Sequence, residues 1–167
     1  MTIPTLITER LTMRAPCQDD FEAFAAFYAS DRSRYVGGPE DRMSSWRRLA
    51  AMVGHWSLRG YGFWAVEEEG AVRGMVGLWY PEGWPEPEIG WELFEGAEGR
   101  GIAHEAALAA RAHAHGPLGW TTAISTIHPE NARSIALVER MGARRDGDFH
   151  HPKVGTVGIW RHPGPHA

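Results

Sequence analysis

The chain reads as α+β: a mixed, mostly antiparallel sheet of about seven strands with one parallel β-α-β crossover, flanked by about four helices. Three observations predict this class. Strand-period and helix-period segments alternate along 167 residues with no internal repeat and no low-complexity linker. Glu68-Glu69-Gly70 joins two apolar runs with the chemistry of a hairpin turn. Ile89 to Phe94 then passes through a glycine turn into an alanine-rich helix and a further strand, an order that requires a right-handed parallel crossover.

Each element has its own signal. Leu11 and Met13 face one way and Thr12 and Arg14 the other, the period of a half-buried first strand. Asp19 or Asp20 caps a helix running to about Ser30, with Phe21, Phe24, Ala25 and Tyr28 on its apolar side. A second helix runs from Ser44 or Ser45 to Leu58 and stops near Gly60. Strands at about 61–68 and 71–80 form the hairpin, and Pro81 to Pro87 force a loop before a fourth strand begins near Glu88. The third helix, from about Gly101 to His115, carries Ala103, Ala106, Ala107, Ala110 and Ala114, which permit close approach to the sheet. A fifth strand spans roughly Trp120 to Ile127. The fourth helix, Asn131 to Met141, places Ile135, Val138 and Met141 on one stripe and is ended by Gly142. A closing hairpin at about 143–150 and 154–161 leaves His162 to Ala167 as a frayed tail.

Composition bounds the function. At 43% hydrophobic and 23% charged, residues 1–167 have the size and make-up of one ordinary domain with a sizeable core. No run is long enough for a membrane span, and Met1 to Pro4 lack the regions of a signal peptide, so a cytoplasmic protein with no membrane partner is expected. The lone Cys17 excludes an internal disulfide and reads as a partly buried thiol. A net charge of −4 with scattered arginines argues against a nucleic-acid partner. His113 and His115 are two apart on a helix and diverge, so no metal site is expected.

The most informative segment is the turn Glu98-Gly99-Arg100-Gly101-Ile102-Ala103. A helix starting there aims several unpaired backbone N–H groups and its positive dipole end at one spot, which suits a phosphate. A Walker-type loop is excluded because Ile102 and Ala103 stand where a lysine and a hydroxyl are needed. The dinucleotide fingerprint fails at His104, where a third small residue is required, which leaves an NAD-linked oxidoreductase remote. What remains is a short turn with Gly at its fourth place and a small residue at its sixth.

That turn resembles the diphosphate loop, Q/R-x-x-G-x-G/A, of the GNAT N-acetyltransferases. Three further blocks in the same order strengthen the likeness. Leu6 to Arg14 resembles the first strand of the RimJ/RimL-type branch, Tyr61 to Val66 with Val72 to Leu78 its central hairpin, and Asn131 to Ala143 its N-x-x-S helix. The resemblance implies the GNAT acyltransferase fold, splayed between the fourth and fifth strands, with acetyl-CoA as co-substrate. Its pantetheine arm would lie in the splay on the backbone of Leu93 and Phe94. Glu98, Gly99, Arg100, Gly101, Ala103 and His104 would surround the pyrophosphate. Gly90 fits a bulge of the kind that opens the splay in that family, or simple relief of crowding. Glu98 departs from the family pattern: either it turns outward to solvent, the preferred reading, or coenzyme A binds less tightly, and Arg100 and His104 offset its charge.

The implied chemistry is attack of an amine on an acetyl thioester. Freeing an aliphatic amine at neutral pH costs about 4–5 kcal/mol and a peptide α-amine only about 1, so the former needs a strong base. Glu88 and Glu92 share one face of the fourth strand with Gly90; either suits that task, directly or through water, and Glu88 is preferred because Glu92 sits nearer the pantetheine contact. The tyrosine that many GNAT enzymes carry in the fourth helix is Val138 here. Ser134 matches the branch serine that approaches the thiol, and its loss should slow rather than abolish turnover. Asn131 either bonds the pantetheine or fifth-strand backbone, or caps the helix, or both. Trp79, Tyr80 and Trp84 bracket the proline loop beside the acceptor, which predicts an acceptor with an apolar or aromatic portion. Two functions stand: N-acetylation of a protein N-terminus, an amino acid or a small amine, and a non-catalytic acyl-CoA-binding module. The branch often forms homodimers, but no residue here identifies an interface.

Overall fold

The computed structural model describes residues 2–167. Strands β1 (Leu6–Ile7), β2 (Thr12–Arg14), β3 (Phe63–Glu68), β4 (Ala71–Trp79), β5 (Glu88–Leu93), β6 (Ile124–Ile127), β7 (Arg144–His151) and β8 (Gly155–Arg161) form one sheet in the order β1-β2-β3-β4-β5-β6-β8-β7. All neighbours are antiparallel except β5 and β6. Helices α1 (Phe21–Ala29) and α2 (Arg42–Arg59) pack mainly on one face, and α3 (Ile102–His115) and α4 (Ala132–Arg140) on the other.

The eighth strand arises because the expected first strand is broken. The Thr8 amide donates to the Leu11 carbonyl at 3.0 Å, and the Leu11 amide returns to the Thr8 hydroxyl at 3.0 Å, which closes a turn. Glu105 of α3 pins that turn by accepting from the Thr8 hydroxyl and the Arg10 amide.

Other boundaries move for local reasons. Asp20 does not cap α1 with its side chain; its carboxylate accepts from the Cys17 amide and from Arg14. Helix α2 begins at Arg42 because Asp41, not Ser44, is the cap, with Oδ1 accepting from the Ser44 amide at 2.7 Å. Strand β6 starts only at Ile124, since the Trp120 amide folds back onto the Ala114 carbonyl. The tail is anchored rather than frayed: His162 is buried and its amide donates to the Ala123 carbonyl at 2.9 Å. Cys17 is exposed, not partly buried.

The alanine stripe does what its spacing implies. Ala106, Ala107, Ala110 and Ala114 have no exposed surface, and the helix they line meets Val76, Leu78 and Ile89 of the sheet. On the opposite face Phe24, Tyr28, Phe63, Met75 and Phe94 form a second, aromatic core. Glu88, Gly90 and Glu92 project from β5 toward that second face, which sets up the site.

Candidate active site

Two concavities meet beside β5. The larger, a groove of about 1330 Å³, runs from the start of α3 along α4. The smaller, a cavity of about 130 Å³, lies over Glu88, Gly90 and Glu92. Tyr35, Val36, Trp91, Glu92, Asn131 and Ser134 line both.

The groove begins where Gly99 and Gly101 take left-handed φ values of 72° and 76°, a turn that glycine makes without a Cβ penalty. Gly101 is the cap residue of α3 and offers no side chain, so the amides of Ile102, Ala103 and His104 face the groove without a side-chain cap. Gly99, Gly101, Ala103, His104, Leu93, Asn131 and Ser134 all line it, as do Arg32, Arg34, Arg133 and Arg140. Free amides, a helix dipole and nearby guanidinium groups are a donor set suited to a diphosphate.

Three expectations are corrected here. Glu98 does not turn to solvent but pairs with Arg32, and more distantly with Arg133 at 3.5 Å. Arg100 does not offset it, because its guanidinium is bound to Glu68 at 2.6 Å and lies outside the groove lining. Phe94 offers no backbone group to a ligand: its amide donates to the Arg73 carbonyl at 2.9 Å and its carbonyl accepts from Ala97 at 3.1 Å. Leu93 differs by the alternation of a strand, so its peptide groups face β6, and its carbonyl accepts from Arg32 at 2.9 Å.

The sheet is open between β5 and β6, but not through a bulge at Gly90. The β4–β5 register runs unbroken from Gly74↔Leu93 to Trp79↔Glu88. Gly90 instead makes room for the Phe63 ring, which would stand 2.9 Å from an added Cβ. Side chains do the opening. The parallel ladder has the single register pair Glu88↔Ile124. At its next step the Thr126 amide donates to Glu88 Oε2 at 2.9 Å, and the Ile89 carbonyl accepts from the Ser125 hydroxyl at 2.6 Å. The two groups that would have paired across the gap are therefore held by side chains. Ser125 in turn contacts His162 Nε2 at 2.9 Å, and burial keeps that imidazole neutral, with its pKa pushed down to about 3. Beyond this point β5 presents an unpaired edge, which can receive the amides of an extended chain.

The two carboxylates differ in what they have left to offer. Glu88 Oε2 also accepts from the Thr126 hydroxyl at 2.8 Å, and Oε1 from the Trp84 indole at 3.1 Å. Glu92 Oε1 accepts a short bond from the Tyr28 hydroxyl, while Oε2 is buried and has no partner among the described residues. Burial raises both pKa values to about 7. Ser134 accepts from the Trp91 indole at 3.0 Å, which leaves the serine's own proton free to donate. Asn131 caps α4, its Oδ1 accepting from the Ser134 amide at 3.3 Å.

Sequence reasoning missed Tyr28, Arg32 and Tyr35. Tyr28 sits at helical spacing with Phe21 and Phe24, so its ring was legible but its hydroxyl was not. Arg32 was one of many scattered arginines. Tyr35, at the junction, lies in a loop with no pattern.

The comparisons with known proteins agree with this geometry. A family model described as an acetyltransferase (GNAT) domain matches residues 10–144. An acetyltransferase from Agrobacterium tumefaciens is 38% identical with a TM-score of 0.89, covering 97% of this chain and 95% of its own. A GNAT-family acetyltransferase from Bordetella pertussis is 25% identical with a TM-score of 0.81, over 96% and 99% of the two chains. RimL, a ribosomal L7/L12 alpha-N-protein acetyltransferase solved with coenzyme A, shares the fold at 14% identity and a TM-score of 0.77, over 95% and 96%. With the matched model spanning most of the sheet and the whole groove, the chain belongs to the GNAT acetyltransferase family.

Proposed function

We propose that this protein is an acetyl-CoA-dependent N-acetyltransferase that works by direct transfer. The observation that carries the reading is the junction: an anion-suited groove and an acidic, aromatic cavity share Glu92, Ser134 and Trp91. The groove residues Gly99, Gly101, Ala103 and His104 would hold the diphosphate, with Arg32 and Arg133 near it, and the edge at Leu93 would hold the arm. Acetyl-CoA supplies the activated carbonyl.

The amine nitrogen forms the new C–N bond while the C–S bond breaks. Its proton goes to a carboxylate, and the departing sulfur takes a proton. We assign proton removal to Glu92 rather than Glu88, since Glu92 borders both concavities and has an unbonded oxygen. The Ser134 hydroxyl is the donor nearest the junction on α4 whose proton is uncommitted. Alignment of the reactants across the junction is the largest expected contribution.

Thiol release from acetyl-CoA with a panel of amines tests the reading. Acceptor-dependent release supports it. Tight coenzyme A binding with no release on any amine would instead support a non-catalytic acyl-CoA-binding module.

A further inference from the structure

Resting on Glu92 as the proton acceptor, the geometry points to Tyr28 as the residue that positions its carboxylate, with Glu40 and Arg48 as the clamp that holds Tyr28. Tyr28 lines neither concavity and touches no reactant. It decides which oxygen of Glu92 meets the amine's proton.

The two carboxylates of β5 are held differently. Glu88 has three donors on its two oxygens, the Thr126 amide and hydroxyl and the Trp84 indole. Glu92 has one, the Tyr28 hydroxyl on Oε1, and its buried Oε2 has no partner among the described residues. A carboxylate with no fixed donor can exchange its oxygens by turning about its last bond, a broad and soft torsion. A single fixed donor removes that freedom. Oε1 is committed, and Oε2 is the atom left for a proton.

The donor is fixed because its ring cannot move. Tyr28 has no exposed surface, and its ring packs against those of Phe24 and Phe27 on the same helix, with centroids 4.9 and 5.1 Å away. The Arg48 guanidinium of α2 lies over the ring, 4.4 Å from its centroid. Glu40 grips that guanidinium through two bonds of 2.9 Å, and the Glu40 amide donates to the Tyr28 carbonyl at 2.8 Å. Tyr28, Glu40 and Arg48 therefore close a loop of contacts on themselves, and bidentate pairing fixes its geometry.

A phenol in this place also suits the chemistry. An arginine bonded directly to Glu92 would hold its carboxyl low in the acid range and leave a weak base. Because Glu40 takes the guanidinium, Glu92 receives a neutral donor, and burial keeps that donor protonated by raising the phenol's pKa well above its usual value. The charged and titratable groups around Glu92 are Tyr28, Arg48, Glu40 and Glu88. Tyr35, His128 and His151 line the cavity beyond, and Arg32, paired with Glu98, the groove. Burial raises the Glu92 carboxyl most and the two glutamates add to it, whereas the Tyr28 bond and the Arg48 charge bring it down. Removing the hydroxyl should therefore raise it further.

The experiment measures kcat against pH by thiol release from acetyl-CoA in the parent, Tyr28→Phe and Arg48→Gln. The acceptor is the one the parent turns over fastest in a panel of phenethylamine, amino acids and short peptides. In Tyr28→Phe the rising limb should move up by about one pH unit and kcat at pH 7 should fall about tenfold, with the KM for acetyl-CoA unchanged. Arg48→Gln, which keeps a donor for Glu40 but not the charge, should move the limb the same way by about half a unit and decides the matter if Tyr28→Phe does not fold. Adding Tyr28→Phe to Glu92→Gln should cost less than about twofold, because the residue acts through the carboxylate. A limb that stays where the parent has it, or an equal loss of kcat in the Glu92→Gln background, would overturn the proposal while leaving acetyl transfer intact. A parent that releases no thiol with any amine would instead remove the reading beneath it, and the proposal with it.

Discussion

Glu92 carries two properties that meet in one atom: burial raises its carboxyl to about pH 7, and Oε2 has no partner. A general base works best when its pKa lies near the operating pH, and desolvation gives the Glu92 carboxylate a proton acceptor's strength in that range. Because the group must be ionised to accept a proton, activity should rise with pH through about 7. In Glu92→Gln the amide oxygen can still accept from Tyr28, so the fold should hold while kcat falls by about 100-fold or more. Coenzyme A affinity should be unchanged, and the rising limb of the pH profile should vanish. A profile that keeps that limb in the glutamine variant would return the role to Glu88. Ser134→Ala should be milder, slowing turnover about tenfold, because a thiol of pKa about 8.5 leaves as a fair anion without help. It also leaves the Trp91 indole without its acceptor, a loss of about 1 kcal/mol in stability.

At the scale of elements, the gap between β5 and β6 is a matter of which acceptor the Thr126 amide chooses. In Glu88→Ala the Thr126 amide is released and can pair with the Ile89 carbonyl, which has a second lone pair beside the one Ser125 uses. The ladder then extends into the gap. Coenzyme A affinity should fall about tenfold, the Thr126 amide should gain protection from hydrogen exchange, and Glu88→Gln, which keeps an acceptor oxygen, should restore both. Loss of affinity without new protection would mean that the carboxylate does not hold the gap. The sequence made the elements themselves legible, because helix and strand periods, the Gly101 start and the Gly60 and Gly142 stops are local properties of the chain. It placed the glycine turn at the head of α3 for the same reason. It could not show how the gap is kept open. Gly90 carried the visible signal, but the work falls to Glu88 and Ser125, whose meeting with β6 depends on the crossover. Nor could it foresee Arg32, which comes from a 3-10 turn at Asp31–Ser33 and reaches Glu98 only once the chain has folded.

For the molecule as a whole, the site leaves its mark on stability against pH, and the signs can be worked through. Glu88 and Glu92 have folded pKa values raised from 4.5 to about 7. Each keeps a proton in the folded state over that window that the unfolded chain releases. Stability from each is therefore full below about pH 4.5 and lost as pH rises toward 7, on the order of 3 kcal/mol per group. His162 acts in the opposite sense, since its folded pKa is pushed down from 6.5 to about 3. Its contribution is full above about pH 6.5 and lost as pH falls. Between about 4.5 and 6.5 the two protons held by the carboxyls are opposed by those refused by His162 and by His55, His113 and His151, whose imidazoles burial also pushes down, so the carboxyls show most clearly in a comparison of the parent with a carboxyl variant. Glu92→Gln removes one of the two carboxyls, so it should gain in melting temperature on the parent as pH rises from 5 to 8 and melt above it at pH 8, where the buried charge is fully formed. Such a gain in stability with a loss of activity is the expected signature of a carboxylate kept buried for chemistry. A glutamine variant that gains nothing on the parent between pH 5 and pH 8, or is less stable at pH 8, would show that Glu92 is satisfied in solution and would weaken the case for it as the base.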